Sequence, residues 1–268
     1  MITVTSESSH ENINVVDEAI VLNGPPSDLQ GHIFFENKED DLLRIKTLAL
    51  VDKNKNRVTT LGQSSLSLSC RIHPGEKKLL TVTHQLPPTT SPGTYENFLM
   101  IGKKLHKIKM VVQPTIDIHL NPTHFTLQDS APGKAHKVVL TLTNLGNLPF
   151  QIPDLKHAGS LDMDMFCRAF GFGFREDGSD GFMQTMDEVT QNIKENLADW
   201  ADVSIDEYGK VVEPGESSIL TLHLKNPRNS DPKRDYAIDL RFWDKEISLV
   251  IKSHIEKNKK ARNGKNKG

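Results

Sequence analysis

Apolar and polar residues alternate along much of this chain, and the alternation comes in two similar halves. In the first half Leu80 and Val82 share a face; in the second Leu220, Leu222 and Leu224 do. A period of two predicts strands with one wet side and one dry side. Both runs follow the same turn, Pro74-Gly75-Glu76 and Pro214-Gly215-Glu216. Proline presets φ there and glycine permits φ > 0. A second turn comes at equal spacing: Pro92 lies 18 residues after Pro74, and Pro232 lies 18 after Pro214. A tyrosine follows each, Tyr95 and Tyr236, two of only three in the chain. Ile238, Leu240 and Phe242 then alternate with Ala237, Asp239 and Arg241. The closing strands carry Ile108, Met110 and Val112 in one half and Ile247, Leu249 and Ile251 in the other.

The upstream parts match more loosely. "GHIFFEN" (31–37) precedes "LLRIKTLALVD" (42–52), and "HKVVLTLTN" (136–144) precedes "NLPFQI" (147–152). Each pair reads as a strand, an Asn-bearing turn and a second strand. About seven short strands per half, with turn signals every 8–12 residues, fit an immunoglobulin-like sandwich. The expected class is all-β: two tandem sandwiches over about 1–113 and 114–255, then a basic tail over 256–268.

The Pro-Gly-Glu turn, the Pro-Gly-Thr-Tyr turn and the strands after them resemble bacterial immunoglobulin-like domains. They also resemble the wider group that holds motile-sperm-protein and pilus-chaperone domains, and "LTLTNLGNLPFQI" is similar to that group's second and third strands. The resemblance implies a tyrosine corner at Tyr95 and Tyr236, the hydroxyl bonding backbone at the sheet edge. The paired cysteines and core tryptophan of antibody domains are missing. Fold alone does not imply function.

One segment breaks the repeat. Asn37 to Pro74 is 37 residues, whereas Asn144 to Pro214 is 70. The second half therefore holds an insertion at about 160–208. Its first part is Phe-rich, with Phe166, Phe170, Phe172, Phe174 and Phe182. In its second part Met186, Val189, Ile193, Leu197 and Trp200 step by 3, 4, 4 and 3, which predicts an amphipathic helix. Thr185 and Glu188 have the spacing of a capping box at its start. Residues 160–210 carry twelve Asp/Glu against four Lys/Arg. Three roles fit: a plug over its own sandwich, a docking face for another protein, or a lid over a ligand pocket. As a docking face it would use Phe170, Phe172, Phe174, Phe182, Met186 and Trp200, since exposed aromatics cost solubility unless covered.

Composition narrows the classes. At 268 residues the chain has room for two average domains. A net charge of −2 does not by itself point to nucleic acid. The tail changes this locally: Lys257, Lys259, Lys260, Arg262, Lys265 and Lys267 face no acid in 257–268, leaving about −8 for the rest. Such a segment is expected to be disordered. It suits a solubilising role or an electrostatic tether to anionic lipid, nucleic acid or an acidic protein. Only two cysteines, Cys70 and Cys167, and no signal-peptide pattern at the start lean to a reduced, cytoplasmic setting, with a place peripheral to a membrane complex left open.

Candidate chemistry is sparse. Cys70 and His73 have C-x-x-H spacing, but no axial Met follows and no second histidine is placed for copper, so Cys70 reads as a structural cysteine. "EDGSDG" (176–181) puts Gly178 and Asp187 where a calcium loop needs ligands of other types. "GFGF" (171–174) lacks the Lys-Ser/Thr of a phosphate loop. Asp162 and Asp164 read as alternate surface acids. No catalytic, cofactor-binding or metal site is expected. The function expected is a non-catalytic protein–protein interaction or scaffold role, as an accessory subunit of a larger assembly. The alternatives are a binder like the pilus chaperones, which pair a strand with a partner's sheet edge, or an adaptor tethered by the basic tail.

Overall fold

A computed structural model describes residues 2–4, 13–15, 19–54, 65–101, 104–162, 164, 167, 169–171, 181–196 and 200–253. The protein is nearly all-β, with 58% strand and 7% helix. It divides into two compact units. The first comprises Met1–His119, Thr143–Phe150 and Val212–Ser217; the second comprises Leu120–Leu142, Gln151–Val211 and Ser218–Gly268.

The first sheet is built from β1 (Ile2–Val4), β2 (Ile13–Val15), β3 (Ala19–Gly24), β4 (Leu29–Asn37), β5 (Leu43–Val51), β6 (Ser65–Ile72), β7 (Lys77–His84), β8 (Gly93–Ile101) and β9 (Lys104–Val112). Its order is β1-β5-β6-β7-β4-β3-β9-β8, with β2 on β4 and a further pairing of β5 with β8. Alternation drives this arrangement. Leu80 and Val82 on β7, and Ile108, Met110 and Val112 on β9, all face one core with Ile33, Phe35 and Leu99.

The second sheet uses β10 (Ile118–Asn121), β11 (His124–Gln128), β12 (Ala135–Asn144), β14 (His157–Asp162), β15 (Trp200–Ile205), β17 (Ser217–Lys225), β18 (Tyr236–Phe242) and β19 (Lys245–Lys252). The order is β10-β12-β17-β15-β14-β18-β19-β11. β13 (Phe150–Gln151) and β16 (Val211–Val212) form a separate two-stranded ribbon. The predicted strand "NLPFQI" thus shrinks to two residues, because Pro149 and Pro153 deny it ladder donors on either side. β14 changes partner midway: His157–Gly159 pair with β15, and Ser160–Asp162 pair with β18. Leu220, Leu222, Leu224, Ile238, Leu240, Phe242, Ile247, Leu249 and Ile251 are all buried.

The two Asn-bearing turns share one hydrogen-bond design. The Asn37 amide donates to the carbonyls of Asp41 and Ile72, and its Oδ1 accepts from the Glu39 N–H. The Asn144 amide donates to Leu148 and Val212, and its Oδ1 accepts from the Gly146 N–H. Backbone exchange ties each to its Pro-Gly-Glu turn. Asn37 N–H bonds the Glu76 carbonyl and Gly75 N–H bonds the Asn37 carbonyl; Asn144, Glu216 and Gly215 repeat the pattern. Both asparagines are fully buried, so each amide replaces water for groups that have none. Gly75 and Gly215 sit at φ 71° and 82°, as the turn requires.

Both tyrosine hydroxyls bond backbone four or five residues upstream, in opposite senses. The Tyr95 hydroxyl donates to the Ser91 carbonyl at 2.7 Å, and the Tyr236 hydroxyl accepts from the Asp231 N–H at 2.6 Å.

Candidate functional site

Between β14 and β15 the chain carries the helix α1 (Phe182–Asn196). It starts a turn earlier than the sequence suggests. Gly181, at φ 88°, breaks the preceding backbone, and the Thr185 N–H already bonds the Gly181 carbonyl. Thr185 is therefore inside the helix, its hydroxyl turned back on that same carbonyl, and it does not cap with Glu188. Val189 is buried, while Met186 and Ile193 are half-buried, so the apolar stripe is covered along Met186–Ile193. Phe182 and Met183, in the first turn, are 71% and 72% exposed.

Trp200 does not belong to the helix. It opens β15, in register with Gly159, and is 69% exposed. The reason is a competing period: Ala201, Val203 and Ile205 alternate inward on β15, which throws Trp200 outward. Of the Phe-rich stretch, Cys167 and residues 169–171 are helical, with Phe170 39% exposed. Phe172 and Phe174 lie outside the described residues, as do Phe166, Leu197, the "EDGS" turn and the six tail cations. Phe170, Phe182, Met186 and Trp200 thus come from three different elements.

The face around Trp200 is polar at its rim. His157 and Asp202 stand in register across β14 and β15, with His157 Nδ1 3.5 Å from Asp202 Oδ1. With Trp200 they line a surface cavity of about 340 Å³. A Cβ placed on Gly159 would lie 3.9 Å from Trp200 Cζ3, so the indole rests beside a position that has no side chain. His157 and Asp202 escape a search by motif because no spacing marks them. The signal that could have found them is the alternation of "WADVSI", which puts Trp200 and Asp202 on one outer face.

Asp162 is not surface. Its side chain is buried, receives Arg234 Nη1 at 3.1 Å and accepts the Asp164 N–H at 2.9 Å. Arg234 also pairs with Asp231 through Nε at 3.1 Å, so the buried carboxylate is held by a cation with a second anchor. Asp164 is exposed. Cys70 is half-buried against the first core, and burial pushes its thiol pKa up. His73 is exposed, its N–H bonded to Glu76. Among the described residues there is no cluster of three His, Cys, Asp or Glu able to hold a metal, and no helix long and apolar enough to cross a membrane.

No family model and no curated protein matches this chain. Solved structures that share some likeness include a PapD-like domain of human CEP192, at 14% identity over 55% of this chain and 95% of that one, with a TM-score of 0.29. The CupB2 chaperone of Pseudomonas aeruginosa matches at 10% identity over 88% and 98%, with a TM-score of 0.24. Titin domains z1z2, in a complex with telethonin, match at 10% identity over 90% and 96%, also at 0.24. These neighbours are immunoglobulin-like or PapD-like domains.

Proposed function

We propose that the protein is a non-catalytic interaction module: two tandem immunoglobulin-like sandwiches, bounded near residues 113 and 114, the second carrying an inserted arm between β14 and β15 that holds another protein. The observation that carries this reading is the exposure of Phe182 and Met183 side by side in the first turn of α1. A helix needs no apolar residues on its wet side, and large exposed side chains of this type are what interfaces bury. Phe170 at 39% and Leu161 at 43% exposure, on the same inserted arm and the strand leading into it, support the same role.

The test is a photo-cross-linker placed at position 183 of the full chain, followed by an affinity measurement with the protein it captures. Phe182→Ser with Met183→Ser is expected to weaken that affinity about tenfold or more, a loss typical of interface anchors, with the urea midpoint unchanged. An unchanged affinity would contradict the reading.

A further inference from the structure

The cavity at Trp200 is separate in sequence from α1, and its chemistry is more specific than a greasy patch. Three groups meet there: an indole with most of its surface open, a carboxylate, and an imidazole beside that carboxylate. Asp202 Oδ1 is engaged by His157, while Oδ2 has no partner among the described residues. The cation opposite Asp202 in register, Lys225, makes no ion pair with it; the Lys225 stem lies 3.8 Å from where a Cβ on Gly133 would be. An aromatic face next to an acceptor-only carboxylate is the pairing that a planar cation satisfies with both of its properties at once. Its face stacks on the indole and its N–H edge bonds the carboxylate.

The carboxylate at the rim attracts a cation and repels a phosphate. A neutral sugar ring would gain nothing from that charge.

We infer that the Trp200–Asp202 cavity receives an arginine side chain presented by the partner protein, the guanidinium stacked on Trp200 and hydrogen-bonded to Asp202. This rests on the proposed interaction function and adds the chemistry that the partner must show. Arginine is the cation of choice because lysine's ammonium is compact and strongly hydrated and has no face to stack.

The test needs no partner. The indole N–H signal of Trp200 is followed by NMR in the full chain, assigned with Trp243→Phe, while N-acetyl-arginine amide is titrated in, with N-acetyl-citrulline amide as the neutral isostere. The expected result is a saturable shift with the arginine compound, about tenfold weaker with citrulline, since charge-assisted bonds are roughly twice as strong as neutral ones. Asp202→Asn should erase the difference between the two compounds with Trp200 still folded in place. Equal response to both compounds, or no response at Trp200, overturns the inference. A third arm uses the full chain with all six tail cations changed to glutamine. Unchanged arginine affinity leaves the site to a partner, whereas a tenfold gain would mean the chain's own tail occupies it and would overturn the partner assignment. If arginine fails to bind while the Phe182/Met183 variant still loses its partner, only this inference falls. If arginine binds and that variant keeps its partner, only the arm reading falls.

Discussion

Asn144 shows how much a single buried amide can hold. Its amide donates to the Leu148 and Val212 carbonyls, and its Oδ1 accepts from the Gly146 N–H, which is shared with the Asp117 carbonyl. Asn144→Ala is expected to cost about 2–3 kcal/mol in urea unfolding, the penalty for leaving buried groups unmatched; a loss under about 0.5 kcal/mol would show that the turn re-pairs without it. Histidines set the acid limit. His84 is almost fully buried, and burial lowers its pKa from 6.5 against a smaller opposing effect of the Ser65 backbone. Burial also lowers His106 and His136. The unfolded chain therefore takes up protons first on acidification. Stability from these rings is whole above pH 6.5 and is lost as pH falls through their folded values. The carboxylates act lower down. Glu76 is lowered chiefly by the His73 N–H, Glu96 by Lys107 and Asp235 by Lys252, so their contributions are lost only below 4.5 for the glutamates and 3.8 for Asp235. His84→Leu should flatten the fall of the urea midpoint as pH drops below 6.5; an unaltered slope would assign that fall to other groups. These residue-level facts were only half legible in the sequence. Asn37 and Asn144 stood out because a turn repeated around them. His84 did not, since nothing in "TVTHQ" says that its ring points into the core rather than out.

At the scale of elements, strands were readable and the arm was not. β7, β17, β18 and β19 fall where alternation placed them, because one buried face leaves no freedom in register, and β4 and β12 fall where the Asn-bearing turns placed them. α1 was recognised by Met186, Val189 and Ile193, but its stripe was carried too far. Trp200 fits a helical step and a strand alternation equally well by position alone. Pairing with β14 and β17 decided for the strand, a contact that is remote in sequence. The cap was misread for a similar reason: Thr185 and Glu188 have the right spacing, yet Gly181 breaks the chain a turn earlier. Thr185→Ala should therefore change stability by less than about 0.5 kcal/mol, where loss of a true N-cap costs about 1 kcal/mol. Calorimetry on the full chain decides between these values, and a loss near the higher one would restore Thr185 as the cap.

For the whole molecule, the all-β class follows from alternation alone, and the doubled Asn and Pro-Gly-Glu clamp gives the two halves matching corners. What the arm does is a separate matter from how the sheets form. Residues 160–162 pair with β18, and residues 200–205 belong to β15, of which 202–205 pair with β17, so the removable part is 163–199, inside the 160–208 window read from the sequence. The most direct measurement is partner affinity for a chain in which residues 163–199 are replaced by a short Gly-Ser linker. The predicted result is a urea unfolding profile matching that of the parent protein, with loss of the protein captured at position 183. Undiminished binding by the folded, shortened chain would contradict it.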